Sequence, residues 1–303
     1  MIQPERALLS WLRPGACFLL VALVVSGPPA LSQAAGRTTP TGAPAVKKAY
    51  YLLVFNNPYT GEDADYDQYY DEIHIPEMLT TPGVVSAQRF VSADQSQPPS
   101  QDSPRRYMAM YRVETDDIAA TYRDFWPRQL VESQDQGASS ASHVDLDAMR
   151  NTPVDSSTTF SVTYEVLGSE ISGAGPKKTG RGEMKTYYFC AQSSPMPGKD
   201  KEFNDWYNKQ HGPEMAATPG IVSAQRFRRS AVQRGNAGPS PQYLIMYKIV
   251  TDDLASIFDD INRRAKSFPA NTTQDATKSE HFTYQALGPV VTLESLRATA
   301  ANQ

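Results

Sequence analysis

Short apolar runs alternate with helical stripes along the 303-residue chain, and the whole series occurs twice. Each half has four compact apolar runs of strand length. Between the first and second runs, apolar residues recur at i, i+3 and i+4, which predicts an amphipathic helix. A second helical stripe precedes the fourth run. The predicted strands are residues 50–55, 84–91, 107–113 and 160–167, and then 187–191, the run after Gly220, 243–249 and 282–287.

The two halves share one nearly identical stretch. Residues 70–90 read YDEIHIPEMLTTPGVVSAQRF and residues 207–227 read YNKQHGPEMAATPGIVSAQRF, a shift of 137 positions. A repeat of this length indicates two copies of one structural unit. Pro76 and Pro213 are expected to end the first helix of each copy, because the residue before a proline disfavours the helical conformation.

The order of the predicted elements defines the fold class. Each half reads β-α-β-β-α-β, the ferredoxin-like unit, with both helices on one face of an antiparallel sheet. Residues 107–113 and 243–249 are apolar on both strand faces, so both faces must be covered. We therefore predict an α+β fold in which two tandem ferredoxin-like units bring their open sheet faces together and close an intramolecular barrel.

Domain boundaries follow from the repeat and from the segments that lie outside it. The first half carries 16 extra residues between its second helix and its fourth strand, within the polar stretch 131–157, which predicts a long loop. The predicted organisation is a signal peptide at 1–35, a flexible leader at 36–48, a first repeat at 49–168, a linker at 169–184, a second repeat at 185–288 and a C-terminal tail at 289–303.

The N-terminal segment has the pattern of a secretory signal peptide. Arg6 and Arg13 precede the apolar run 16–25, and Ser32 and Ala34 supply small residues after it. The run is shorter than the roughly 20 residues that span a bilayer as a helix, although a retained anchor is the alternative. We expect cleavage between Ala34 and Arg37 and a secreted or periplasmic protein.

Charge and cysteine content exclude several classes of protein. The net charge is −4, and removal of Glu5, Arg6 and Arg13 takes away +1 and leaves −5. Without a run of basic residues, neither nucleic acid nor an anionic membrane is an expected partner.

After removal of the signal peptide Cys190 is the only cysteine, and its apolar neighbours predict a buried strand position. The usual metalloprotease, serine hydrolase and nucleotide-binding motifs are absent from the sequence.

A resemblance to a known family rests on the repeated stretch. The pattern W/Y-Y-x3-H-x-P-E, followed by P-G-[VI]-V-S-A-Q-R-F, resembles the dimeric α/β-barrel superfamily and, within it, the EthD-like group, over residues 48–288 or so. Members of the superfamily include muconolactone-type isomerases, polyketide cyclases and decarboxylases, cofactor-free monooxygenases, and haem-binding peroxidases and chlorite-degrading enzymes. Most members build the barrel from two chains, whereas this chain resembles a fused pair.

Two histidines are the first candidates for catalysis. His74 follows Tyr70 by four residues, and His211 follows Tyr207 by four, so imidazole and hydroxyl share one helix face. Such a pair can transfer protons near neutral pH. The alternative is a structural histidine that caps the helix or bonds the following turn.

Charged residues near the histidines extend the candidate site. Glu77 and Glu214 lie three residues after the histidines and could orient each imidazole. Arg89 and Arg226 lie inside predicted strands, where a charge needs a partner. They are expected either to bind an anionic substrate or to pair with the two glutamates. A His-x2-Glu pair offers only two metal ligands, so no metal and no cofactor are predicted.

Tyr69 and Trp206 are equivalent aromatic positions that differ between the repeats. They belong either to the core or to the wall of a pocket for a planar ligand. The resulting hypothesis is a cofactor-independent isomerase, lyase, decarboxylase or oxygenase acting on a small cyclic or aromatic molecule by histidine-based proton transfer. The alternatives are a non-catalytic protein that binds a small ligand or a haem-binding barrel, and homo-oligomerisation stays open.

Overall fold

The computed structural model describes residues 46–93, 105–125, 152–180, 182–235 and 240–301. The expected signal peptide, nearly all of the expected leader and most of the expected loop at 131–157 lie outside these residues. No helix in the described ranges has the length and apolar character that crossing a bilayer requires.

Eight antiparallel strands close one barrel. The order around it is β1-β3-β2-β8-β5-β7-β6-β4, so each half contributes four neighbouring strands in the ferredoxin-like order. This confirms the predicted fold class: two tandem ferredoxin-like units form an intramolecular α/β-barrel. The strands are β1 (Lys48–Pro58), β2 (Val84–Ser92), β3 (Tyr107–Thr115), β4 (Val154–Ser172), β5 (Lys185–Pro195), β6 (Ile221–Arg229), β7 (Tyr243–Thr251) and β8 (Gln274–Ala286).

Two seams join the halves through backbone hydrogen bonds. Strand β2 pairs with β8 around Phe90↔Ala286, and β4 pairs with β6 from Tyr164↔Arg229 onwards. The sequence predicted that the sheet faces meet. The structure adds that the sheet edges also pair, which leaves no open edge in the barrel.

Alternate residues of each strand serve two different cores. On β3, Met108 and Met110 point into the barrel, whereas Tyr107 and Tyr111 face the helices of the first repeat. This arrangement explains the two-sided apolar pattern of the strands. The barrel interior is filled by Leu53, Phe55, Phe90, Met108, Met110, Val162, Tyr164, Cys190, Phe227, Leu244, Met246, Phe282 and Tyr284.

The helices cover the outside of the barrel. In each repeat the first helical region is continuous but changes from α-helical to π-helical and back. Its segments and the remaining helices are α1 (Asp63–Gln68), π1 (Tyr69–His74), α2 (Ile75–Leu79), α3 (Ile118–Asp124), α4 (Asp200–Trp206), π2 (Tyr207–His211), α5 (Gly212–Ala216), α6 (Leu254–Ala265) and α7 (Leu293–Ala301).

The prediction that Pro76 and Pro213 end the first helix is wrong. Each proline lies in the first turn of a short α-helix that directly continues a π-helical turn. A proline inside an α-helix lacks a donor and its ring clashes with the carbonyl four residues earlier. The wider π turn bonds over five residues instead, as the N–H of Ile75 does to the carbonyl of Tyr70. The helix therefore accommodates the proline.

The segments predicted as linker and tail are ordered against the two repeats. After β4, the N–H of Gly173 bonds the carbonyl of Val222 at 3.0 Å, and Lys177 continues along β7. Near the C-terminus, Val291 exchanges two backbone hydrogen bonds with Ala87. Leu293 and Leu296 of α7 pack against the helix-side core of the first repeat.

Candidate functional site

The first-repeat tyrosine is fixed by a residue that precedes the helix. The ring of Tyr70 meets that of His74 edge-on, with 5.0 Å between centroids. Its hydroxyl, however, accepts a hydrogen bond from Asn56 Nδ2 at 2.7 Å, while Tyr66 donates to Asn56 Oδ1 at 2.6 Å. The predicted proximity of tyrosine and histidine is confirmed as a ring contact. The hydroxyl, however, is hydrogen-bonded to Asn56 on strand β1.

His74 lies in an aromatic enclosure. Tyr69 stacks on the imidazole at 5.6 Å and Tyr111 approaches it edge-on at 6.3 Å. Burial lowers the pKa of His74 to about 4, and the positive charge of Arg234 adds to this effect. Burial also raises the pKa of Tyr69 to about 12. At neutral pH this site therefore presents a neutral imidazole and a neutral phenol.

A segment of the second repeat fills the space beside the first-repeat histidine. Arg234, which follows β6, places its guanidinium 5.2 Å from the ring centroid of Phe125. Its carbonyl accepts a hydrogen bond from Ser161 Oγ at 2.6 Å. The preceding residue, Gln233, bonds both the N–H and the carbonyl of Thr163. The first-repeat site is thus packed by protein.

The second-repeat histidine has a different environment. Trp206 stacks on His211 at 4.3 Å with the rings nearly parallel, and Tyr207 meets it edge-on at 5.3 Å. Phe268 approaches from a further side at 6.1 Å. Burial lowers the pKa of His211 to about 4, with a smaller contribution from His281. This imidazole is also neutral at pH 7.

Half-buried rings extend this site along the sheet. Phe189 on β5 stacks with Tyr247 at 5.9 Å and with His281 at 5.7 Å, and Phe258 on α6 meets it edge-on at 5.4 Å. The side chain of His281 is exposed, and Phe189 and Phe258 are partly accessible. The second-repeat site is therefore an aromatic cluster that reaches the surface at His281.

Several buried polar atoms around His211 lack a hydrogen-bond partner in the described ranges. They are His211 Nδ1, Trp206 Nε1, Glu214 Oε2 and Tyr247 OH. At the equivalent positions of the first repeat, the hydroxyl of Tyr111 is the one buried polar atom that lacks a hydrogen-bond partner among the described residues. Because buried polar atoms are normally paired, a cluster of unpaired ones indicates a place where a ligand or water completes the site.

The predicted role of the glutamates is not supported. Glu77 is exposed on the helix surface, and Glu214 is half-buried with Oε1 bonded only to Gln210 Nε2 at 3.4 Å. Neither glutamate pairs with the arginine that the sequence suggested. Arg89 pairs instead with Asp67 and with Asp71, the latter at 2.8 Å.

The second-repeat arginine also finds other partners. Arg226 donates to Asn208 Oδ1 at 2.6 Å and to Asn204 Oδ1 at 2.8 Å. Its guanidinium lies 5.0 Å from the ring centroid of Tyr207, on whose edge His211 packs. Arg226 borders a cleft of about 490 Å³ whose lining includes neither His211 nor Trp206. The structure therefore assigns the predicted arginine and histidine to two different places.

Sequence reasoning missed the residues that complete these sites. Asn56 and its equivalent Ser193 hold the two tyrosine hydroxyls, and both stand at the 137-residue spacing. That spacing could have revealed them. Arg234 and His281 have no such signal, because loop and strand packing bring them to the sites from distant parts of the chain.

Two observations describe the side chains available to a metal ion or a haem. Within the described ranges no group of three or more His, Cys, Asp or Glu residues is placed to hold a metal ion. A haem needs an axial ligand beside an open cavity, but the cleft of about 490 Å³ has no histidine in its lining. Cys190 is buried inside the barrel, as predicted, and burial raises the pKa of its thiol.

Comparison with known proteins gives remote likenesses. No protein-family model and no curated protein matches the chain. Among solved structures, an anthrone oxidase-like protein shares 12% identity over 82% of this chain and 94% of its own, with a TM-score of 0.45. A candidate monooxygenase from Fusobacterium nucleatum shares 11% identity over 82% and 96%, with a TM-score of 0.44.

A variant of chlorite dismutase from Candidatus Nitrospira defluvii is a third solved structure of this kind. It shares 8% identity over 80% of this chain and 92% of its own, with a TM-score of 0.44. Likenesses at this level carry no inference about substrate or cofactor. The fold assignment rests on the strand order and on the two seams of the barrel.

Proposed function

We propose that the chain is an exported EthD-like barrel protein and a cofactor-independent enzyme that acts on a small cyclic or aromatic molecule. The proposed site is the aromatic cluster of the second repeat, with His211 as the group that accepts a proton. The observation that carries this proposal is the buried Nδ1 of His211, which has no hydrogen-bond partner among the described residues.

The electrostatics of this aromatic cluster favour transient proton transfer. With its pKa lowered to about 4, His211 is neutral at pH 7 and can accept a proton. The imidazolium formed there, with a pKa of about 4, is a stronger acid than an exposed imidazolium and returns the proton readily. Isomerases and lyases need this sequence of steps. The flat faces of Trp206 and Phe189 suit a planar substrate.

A screen and an exchange experiment test the proposal together. Small cyclic ketones, lactones and phenols are screened by thermal shift, because a ligand at about 100 times its Kd adds roughly 2.7 kcal/mol to stability. Each hit is then incubated with the protein in D2O and followed by NMR. A working general base exchanges a ligand C–H proton for deuterium, whether or not a net product forms.

Matched variants identify the working histidine. We expect His211→Gln to slow the exchange by roughly 10²–10⁴-fold, the usual contribution of a general base, while ligand binding persists. His74→Gln is the control, because Arg234 and its neighbours fill the first-repeat site, and it should retain the exchange rate. Equal exchange rates in wild type and His211→Gln would refute the proposed role.

A non-catalytic ligand-binding protein is the second candidate. It is favoured by the low pKa of both histidines, since a group with a pKa of about 4 is a weak base. On this reading the screen yields hits that stabilise the protein, but none of them exchanges protons or forms a product.

A further inference from the structure

The cleft beside Arg226 differs in charge from its counterpart in the first repeat. It lies between helix α4 and the end of strand β4, and its polar lining consists of Arg226, Arg228, Asp200, Asn204, Asn208 and Tyr243 with Ser169. At about 490 Å³ it has the size of a small-molecule site.

Arg226 is a buried cation without a carboxylate partner. Arg226 is 4% exposed, and in the described part of the chain no Asp or Glu oxygen lies within ion-pair distance of it; Asp200, in the same cleft, acts on it from further away. Two asparagines accept its hydrogen bonds through Asn204 Oδ1, Asn208 Oδ1 and the carbonyl of Asn204. These three bonds leave two of the five guanidinium N–H donors for another acceptor.

The first repeat shows the neutralised version of the same arrangement. Arg89 occupies the position of Arg226 and is 7% exposed. Its partners are Asp67 and Asp71, at the positions of Asn204 and Asn208. Replacing two carboxylates by amides keeps the hydrogen bonds to the arginine but removes two negative charges.

The other charged residues of the cleft do not pair with Arg226. Arg228 pairs with Glu165 at 3.1 Å, and Glu165 also pairs with Lys48. Asp200 accepts a hydrogen bond from the hydroxyl of Tyr243 at 2.7 Å. The remaining charged residues of the lining are Arg226 and Asp200, which are not within ion-pair distance of each other.

We propose that this cleft binds the carboxylate of a small organic acid through Arg226. A buried guanidinium needs a counter-charge, and its fork of N–H donors matches a carboxylate in geometry. A bound carboxylate would supply Arg226 with the direct counter-charge that Asn204 and Asn208 lack. The site is separate from the aromatic cluster of His211, so it does not rest on the proposed enzymatic function.

Restoring the first-repeat carboxylates provides the test. The double variant Asn204→Asp/Asn208→Asp preserves side-chain size and supplies Arg226 with the partners that Arg89 has. Benzoate binding to the full chain is measured by calorimetry, with benzamide and inorganic phosphate as comparison ligands. We expect saturable benzoate binding to wild type and at least a tenfold loss of affinity in the double variant.

A control variant and the comparison ligands decide the outcome. Asp67→Asn/Asp71→Asn changes the equivalent place in the first repeat and should leave benzoate affinity at the cleft unchanged. Benzamide should bind at least tenfold more weakly than benzoate. The proposal is overturned if benzoate does not bind, if it binds wild type and Asn204→Asp/Asn208→Asp equally, or if phosphate binds more tightly than benzoate.

Discussion

The neutral state of His74 and His211 makes stability depend on pH. Burial lowers both pKa values from 6.5 to about 4 in the folded protein. As pH falls below 6.5, these histidines bind protons in the unfolded chain but stay neutral in the folded chain. Falling pH therefore favours unfolding. Above 6.5 neither state is protonated and the effect vanishes. The loss is at most about 2 kcal/mol for each histidine at pH 5.

Urea unfolding at several pH values between 7 and 5 measures this effect. The double variant His74→Gln/His211→Gln should lose less stability over this range than wild type does. The comparison removes the contribution of other groups, because carboxylates titrate mainly below this window. Parallel pH profiles for the two proteins would contradict the lowered pKa values.

Sequence reasoning found the candidate residues but not all of their partners. The i, i+4 spacing correctly predicted that Tyr70 and His74 are in contact, because helix geometry alone determines it. The pairing of Arg89 with Glu77, one of the two alternatives for this arginine, does not occur. Asp67 and Asp71 also share a helix face at i, i+4 spacing, and only the packing of α1 and π1 on β2 shows that this face meets the arginine.

Helix boundaries could be predicted only in part from local rules. The amphipathic stripe gave the position of the first helix correctly. The proline rule then ended the helix too early, because it assumes α-helical hydrogen bonding throughout. A π turn at Tyr69–His74 depends on how the helix packs on the sheet, and no residue pattern announces it.

The close packing of the segment between the repeats on strand β6 requires a glycine at position 173. A Cβ on Gly173 would overlap the backbone carbonyl of Ile221, which belongs to a buried strand and cannot move easily. We therefore expect Gly173→Ala to lower the free energy of unfolding by about 1–3 kcal/mol, the usual cost of overpacking. Equilibrium denaturation measures the change.

Gly180→Ala is the matched control within the same segment. A Cβ on Gly180 would have Asp252 Oδ2 as its nearest neighbour at 3.6 Å, an ordinary contact. Its stability should stay within about 0.5 kcal/mol of wild type. Equal stability of Gly173→Ala and Gly180→Ala would show that the segment after β4 is free to shift away from β6.

At the scale of the molecule, the internal repeat made the barrel predictable. Two copies of a β-α-β-β-α-β order with two-sided apolar strands leave few ways to cover both sheet faces. The paired edges were not predictable from the pattern, because β4 continues along β6 to Ser172, beyond its apolar run, and nothing in the run that contains Tyr284 and Ala286 shows that β2 is its neighbour. Strand extension at the seams depends on the neighbouring strand that offers its backbone groups.

The two halves should depend on each other for solubility. Separated fragments of residues 46–180 and 182–303 would each expose half of the barrel interior, including Phe90 and Met108 in the first and Phe227 and Phe282 in the second. Each would also present the unpaired outer strands of its sheet, which favour association with other chains.

We expect each fragment alone to aggregate or to form a dimer that binds a hydrophobic dye, and co-expression to restore a one-to-one complex. Size-exclusion chromatography with light scattering distinguishes these outcomes, with the intact chain as control. A fragment that remained a monomer without dye binding would show that the shared core does not hold the halves together.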